Sequence, residues 1–332
     1  MSFANNHGEH NYSAKIQSIA DTLKSWQGPI VIVSHVDPDG DALGSTLGLK
    51  RALDTMDKAA TLIINPQRFL HFLVHPDELS KPLSELPENS LLMVMDVAES
   101  NRIEGAPMQG ASFVINIDHH GTNDRFGDIA CVQPDKAATA QMTKDIINAM
   151  GISWTAEMAT ACLTGILTDT GNFRYTNTNP DVLKDAAELL SYGVDYATLA
   201  DRLQWRHPDY FQKLGKVMST VEFFLDGLVV IAKLTKEMDN KDSADDSNDY
   251  VGLIRYAEGV KVAILLKEGD GTVKVSTRTR DGVSAQAICL SMGGGGHVAA
   301  AGAKVTGTMD EAQEKVLEAS KQELLHKGFL QV

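Results

Sequence analysis

The chain has 332 residues, 43% hydrophobic and 22% charged, with 44 acidic against 30 basic side chains and a formal net charge of −14. That length exceeds one ordinary domain, so two are expected, each able to bury a core. The acidic balance repels polyanions at long range, which argues against duplex nucleic acid as a partner but leaves room for a small anionic ligand held by a metal and local arginines.

Cys131, Cys162 and Cys289 are widely spaced in apolar contexts and read as three reduced core thiols. Met1–Ser13 is polar, without a basic-then-apolar leader, and no apolar run approaches the ~18 residues of a membrane span. A cytoplasmic protein with no membrane partner is the expectation.

In chain order, residues 14–26 read as a helix with Ile16, Ile19, Ala20 and Leu23 on one face. The β-branched run Ile30–Val33 is a buried strand, and the turn after it carries His35, Asp37, Asp39 and Asp41 before a helix opens. For a single acid, capping of that helix is the simpler reading. Three acids and a histidine in seven residues repel unless a cation lies among them, and hard divalent ions suit such oxygen-rich donors. A second strand spans 59–64, and a variable region follows, in which His71 and His75 read as ordinary histidines. Strands 91–95 and 113–117 end on Asp96 and on Asp118-His119-His120. Three strands thus bring the same chemistry to one edge of a parallel sheet, where open α/β folds bind ligands. Thr139 opens a helix to Met150, and its hydroxyl most simply serves that helix start. An apolar helix, 156–170, closes on Asp169, whose carboxylate at a buried C-terminus needs a nearby cation. Arg174 follows and could reach a phosphate oxygen or form a surface salt bridge.

Helices over 181–192, 196–203 and after His207-Pro208 lead into a second domain near Val221. Its expected parts are a strand at 227–234, an acidic surface loop over 236–249, a hairpin of 260–267 with 272–279, and a helix at 284–291. Gly293–Gly296 with His297 then precede what reads as a helix N-terminus, together an anion cradle. A final amphipathic helix spans 309–326.

His35-x-x-x-Asp39-x-Asp41, Asp96, Asp118-His119-His120, Asp169 and Gly293-Gly-Gly-Gly-His297 together resemble the DHH phosphoesterase superfamily with its DHH-associated C-terminal domain. The short length is similar to its nano-RNase/pAp-phosphatase branch. The resemblance implies an α/β fold: a parallel-sheet catalytic domain with helices on both faces (1–195), a helical linker (196–220) and a smaller α/β substrate-binding domain (221–332), with the site in the cleft between them. It implies two Mn²⁺ ions, with Mg²⁺ or Co²⁺ as alternatives. His35 and Asp39 hold one, Asp41, His119 and Asp169 the other, and Asp96 bridges. Asp118 then orients His119, and His120 contacts the scissile phosphate or assists the leaving group. Arg278, Gly293, Gly294, Gly295, Gly296 and His297 grip a phosphate or terminal nucleotide, with Arg174 a further contact. Asp37 and Thr279 depart from the commoner pattern.

The implied activity is hydrolysis of short single-stranded RNA to mononucleotides, and of pAp to AMP, with a homodimer expected by analogy. A small-metabolite phosphatase or pyro/polyphosphatase, and a non-hydrolysing nucleotide sensor, are the competing readings.

Overall fold

The computed structural model describes residues 6–239 and 247–331, and the chain divides into two units, Met1–Trp205 and Arg206–Val332. In the first, α1 (Asn6–Ser25) leads into β1 (Ile30–His35), α2 (Gly40–Asp54), β2 (Ala60–Ile63), β3 (Leu91–Met95), β4 (Ile103–Glu104), β5 (Phe113–Asp118) and β6 (Ile129–Val132). Four helices follow: α3 (Thr139–Met150), α4 (Ala156–Asp169), α5 (Pro180–Ser191) and α6 (Tyr196–Gln204). The sheet runs β2-β1-β3-β5-β6, all parallel, with β4 antiparallel to the end of β1.

Alternate residues of the buried strands face opposite ways. Ile30, Ile32, Met93 and Ile115 pack with Ile19, Leu43, Leu47, Ile146, Leu163 and Leu189 from the helices. Val31, Val33, Leu92 and Val94 pack instead with Leu83, Leu86, Ala106, Ala111 and Phe126, none of them helical. The helices expected on both faces therefore lie on one. Pro76, Pro82 and Pro87 interrupt the segment between β2 and β3, where a second helical layer would have to form.

The second unit contains α7 (Pro208–Met218), β7 (Glu222–Phe224), β8 (Val229–Leu234), α8 (Ser247–Ile254), β9 (Val262–Glu268), β10 (Thr272–Thr279), α9 (Ala285–Leu290), β11 (Gly295–Gly296), β12 (Ala300–Thr306) and α10 (Met309–His326). Its sheet order is β11-β12-β10-β9-β8-β7, mixed because β8 and β9 are parallel and the other pairs antiparallel. Ile288, Val316 and Leu324 cover one face, while Tyr210, Val217, Tyr250 and Val251 cover the other. His207 caps α7 with its ring nitrogen, and Thr308 with Glu311 forms a capping box on α10.

Two expectations change here. The acidic run Asp242–Asp246 lies outside the described residues, but the segment taken as loop to Asp249 already enters α8 at Ser247. The stretch after the glycines is the strand β12, not a helix, so no helix dipole contributes to that loop. Among the described residues no helix is long and apolar enough to cross a membrane, and the three cysteines are buried and unpaired.

Candidate metal centre

Because β1, β3 and β5 are parallel neighbours, the residues that end them emerge at one sheet edge: His35, Asp96, and Asp118 with His119 and His120. Asp96 turns off β3 with φ 60, a left-handed backbone that Asp tolerates better than most residues. Its Oδ2 lies 3.7 Å from His35 Nε2, and its Oδ1 lies 3.6 Å from His119 Nε2. One carboxylate thus addresses two imidazoles through different oxygens.

Ligand-type atoms converge within 4.8 Å in three groups among the described residues: His35, Asp39 and Asp96; Asp41, His119 and Asp169; Asp96, His119 and His120. The His35 Nδ1–H donates to the Val36 carbonyl at 2.8 Å, which leaves Nε2 turned toward the cluster. His119 Nδ1 faces the Lys136 carbonyl at 3.4 Å. His119 Nε2 is buried without a hydrogen-bond partner, although Asp169 Oδ2 is 3.2 Å away. A buried orphan nitrogen among carboxylates is what a metal ligand looks like before its ion is placed. Carboxylate and imidazole donors without thiolate fit Mn²⁺, Mg²⁺ or Co²⁺.

Capping and ligation coexist at two of the acids. Asp39 is the N-cap of α2, where its Oδ1 accepts from the amides of Asp41 and Ala42 at 3.0 and 3.1 Å; Oδ2 takes no part in that cap. Asp41, fully buried, accepts from the amides of Thr139 and Ala140 at 2.6 and 2.8 Å, so α3 is capped from another helix. The Thr139 hydroxyl does not serve its own helix start; it donates to Asp96 Oδ1 at 3.0 Å.

Asp41 and Asp169 can share a site because α2 and α4 touch through glycine. A Cβ on Gly44 would meet Ala161 O at 2.4 Å, one on Gly48 would meet Cys162 Sγ at 2.7 Å, and one on Gly165 would meet Asp41 Oδ1 at 2.6 Å.

Electrostatics report the crowding. Burial, then the charges of Asp96 and Asp169, hold the Asp41 carboxyl well above its usual range. Burial pushes Asp169 up to about 7, with Asp39 and Asp96 adding to it against the pull of His119. Burial opposes charge on His119, yet Asp169, Asp41 and Asp96 lift it to about 10; His35 rises likewise to about 9 beside Asp96. The balance of burial and mutual charge thus favours protons on His35, His119, Asp41 and Asp169 when no ion is bound. Ligation needs neutral imidazole and ionised carboxylate, so Mn²⁺ binding at pH 7 is expected to release protons, from His35 and His119 first, with affinity rising as pH rises from 6 to 8. Titration calorimetry in buffers of different ionisation enthalpy checks this; no proton release would contradict it.

Asp118 was expected to orient His119. It holds His120 instead: Asp118 Oδ1 lies 2.7 Å from His120 Nδ1, and this bond, ahead of the opposing burial, raises the His120 pKa. Two residues that the motif reading passed over complete the arrangement, Asn116 on β5 and Asn123 beyond the histidines. A buried Asn inside the apolar run of β5 was the available signal. Arg174 is exposed on the loop after α4, its Nε donating to the Gly171 carbonyl at 2.7 Å, and Asp37 is exposed with φ 58.

In the second unit Arg278 on β10 is in register with Ala300 of β12, and β12 pairs with Gly295 and Gly296. Thr279 donates to the Val298 carbonyl at 3.1 Å, which ties down the turn that carries His297. The glycines divide into two kinds. A Cβ on Gly294 would lie 2.2 Å from Gly302 O, whereas one on Gly295 would meet nothing within 4 Å.

Residues 29–166 match the DHH family N-terminal domain and residues 227–325 the DHHA1 domain. The chain is 54% identical over 323 residues, 97% of its own length and 98% of the other's, to the bifunctional oligoribonuclease and PAP phosphatase NrnA of Thermus thermophilus. An exopolyphosphatase-related protein from Bacteroides fragilis superposes with a TM-score of 0.83 at 26% identity, over 95% of this chain and 98% of that one. RecJ from Thermus thermophilus, determined in complex with Mn²⁺, shares the fold with a TM-score of 0.56 at 16% identity, over 93% of this chain and 54% of that one.

Proposed function

Since this chain belongs to the DHH family and carries its DHHA1 domain, we propose that it is a metal-dependent phosphoesterase that hydrolyses short RNA oligonucleotides to mononucleotides and 3′-phosphoadenosine 5′-phosphate to AMP. The observation that carries the reading is Asp96, set between His35 and His119 with the orphaned His119 Nε2 beside it. The resident ions are proposed as a Mn²⁺ pair: His35 and Asp39 would hold one, Asp41, His119 and Asp169 the other, with Asp96 within reach of both. Divalent ions at such a centre offset charge on the phosphoryl oxygens and lower the pKa of the attacking water.

The protein's own groups do the rest. The amides of Thr139 and Ala140 and the Thr139 hydroxyl fix the angles of Asp41 and Asp96. His120, steered by Asp118, presents Nε2 to the leaving oxygen. Arg278, Gly293–Gly296 and His297 bind a substrate phosphate or terminal nucleotide, with Arg174 a further phosphate contact. Backbone amides reach a phosphate only where no side chain intervenes. Gly295→Ala is therefore expected to raise KM about tenfold with an unchanged melting temperature, while Gly294→Ala lowers the melting temperature by displacing β11 from β12. Paired thermal melts and KM values check this; equal destabilisation by both would contradict it.

The proposal is tested with an RNA dinucleotide, an RNA of about twenty nucleotides, pAp and pyrophosphate, each with Mn²⁺. Rapid turnover of the dinucleotide and of pAp, with the long RNA slow, is expected. Turnover of pyrophosphate alone would overturn the reading in favour of a pyrophosphatase, and nucleotide binding without any turnover in favour of a sensor.

A further inference from the structure

The carboxylate of Asp118 is fully buried and takes no part in the three candidate metal groups. One of its oxygens meets His120 Nδ1 at 2.7 Å, and the other meets Asn123 Nδ2 at 2.6 Å. The orientation of the Asn123 amide is fixed by chemistry: its Oδ1 accepts the Arg125 backbone N–H at 2.6 Å, so the group facing Asp118 is the donor. The same Nδ2 lies 2.9 Å from Asn116 Oδ1 and 2.9 Å from the Val97 carbonyl. Asn116, itself fully buried, is fixed in turn, because its Nδ2 lies 3.1 Å from the Val97 carbonyl and 3.4 Å from the Val94 carbonyl, which only accept. A chain of oriented groups thus runs from the sheet to the imidazole: the carbonyls of Val94 on β3 and of Val97 just beyond it, then Asn116, Asn123, Asp118 and His120.

We propose that Asn123, braced by Asn116, is a positioning residue that acts through Asp118 to hold His120 as the proton donor to the leaving group. The inference rests on the hydrolytic reading above and extends it to residues outside the metal cluster. Asn123 does to Asp118 what Asp118 does to His120. Without its N–H, the second carboxylate oxygen is left buried and unpaired, and the carboxylate is free to rotate away from Nδ1. With it, Nδ1–H stays aimed at Asp118, which leaves Nε2 as the ring nitrogen for the leaving group. In the reaction the water oxygen bonds to phosphorus as the bond from phosphorus to the ribose oxygen breaks. His120 Nε2 gives its proton to that departing oxygen, and a proton lost by the attacking water restores the imidazole, so the balance is one water consumed and one alcohol released.

Leaving groups separate this role from a structural one, because a departing p-nitrophenolate needs no proton whereas a ribose hydroxyl does. Wild type, Asn123→Ala and Asn123→Ser are assayed with Mn²⁺ on an RNA dinucleotide and on the p-nitrophenyl ester of a nucleoside 5′-monophosphate. The ratio of the two rates does not depend on how much of a variant is folded. Both variants are expected to lose about a hundredfold on the dinucleotide, within the range of general-acid catalysis, and less than about threefold on the nitrophenyl ester. Equal losses on both substrates, or none on either, would overturn the proposal. Wild type inactive on both would instead sink the phosphoesterase reading itself.

Discussion

Asp96→Asn is expected to lose at least about a thousandfold in kcat, roughly 4 kcal/mol of transition-state stabilisation, while its metal-free form melts within about 3 °C of the wild type. Activity falls because, among the described residues, Asp96 is the carboxylate that faces both His35 and His119. An amide keeps one carbonyl oxygen as a ligand and puts a non-coordinating nitrogen where the second oxygen stood. Stability changes little for three reasons. Asn is nearly isosteric and tolerates the φ of 60 at this position. Its amide is oriented with the carbonyl oxygen toward the Thr139 hydroxyl. Removing the charge works both ways: it relieves the repulsion that, after burial, most raises Asp41, and it gives up the pairing with His35, His119 and His120 that holds the Asp96 carboxyl below its usual range. A melting temperature several degrees below wild type without metal would show that Asp96 is chiefly structural.

The second large effect is expected away from the chemistry. In Gly165→Ala the added methyl would lie 2.6 Å from Ala140 Cβ and 2.6 Å from Asp41 Oδ1, so α4 must retreat from α2 and α3 or Asp41 must leave the amides it caps. Overpacking of this kind costs about 1–3 kcal/mol, a fall in melting temperature of roughly 3–10 °C for a unit of this size. Displacement of Asp41 is further expected to weaken Mn²⁺ binding by about 10–100-fold. Gly215→Ala, in mid-α7 with nothing within 4 Å of the new methyl, is the contrast, expected to stabilise by about 0.5–1 kcal/mol. Thermal melts and Mn²⁺ titration of both variants check the pair; a Gly165→Ala protein with wild-type metal affinity would show that α2 and α4 do not set the position of Asp41.

The strands that carry the site were legible because buried parallel strands read as β-branched and apolar runs, and each ends on an acid or a histidine. Residues whose role depends on a remote partner were not. Thr139 looks like a helix cap until β3 brings Asp96 within 3.0 Å of its hydroxyl. The spacing Gly40, Gly44, Gly48 acquires meaning only against Thr168, Ala161, Gly165 and Cys162 of α4. Asp118 was matched to the wrong histidine, although alternation points to the right one: along an extended chain residues i and i+2 share a side, so Asp118 meets His120 while His119 turns toward Asp169. Ala299–Gly302 has no apolar alternation and so gives no strand signal; β12 is set by its pairing with β10 and by the close approach of Gly294 and Gly296, which only the partner strands reveal. The layer of helices missing from one sheet face has the same origin, since Pro76, Pro82 and Pro87 disfavour an α-helix over that stretch without indicating what packs there instead.

Crystals of the protein grown with Mn²⁺ and measured at the manganese absorption edge test the central claim most directly. Two anomalous peaks are expected about 3.5–4 Å apart on either side of the Asp96 carboxylate, one against His35 and Asp39 and the other against Asp41, His119 and Asp169. A map with no peak at Asp96, or with manganese bound elsewhere on the chain, would contradict the account.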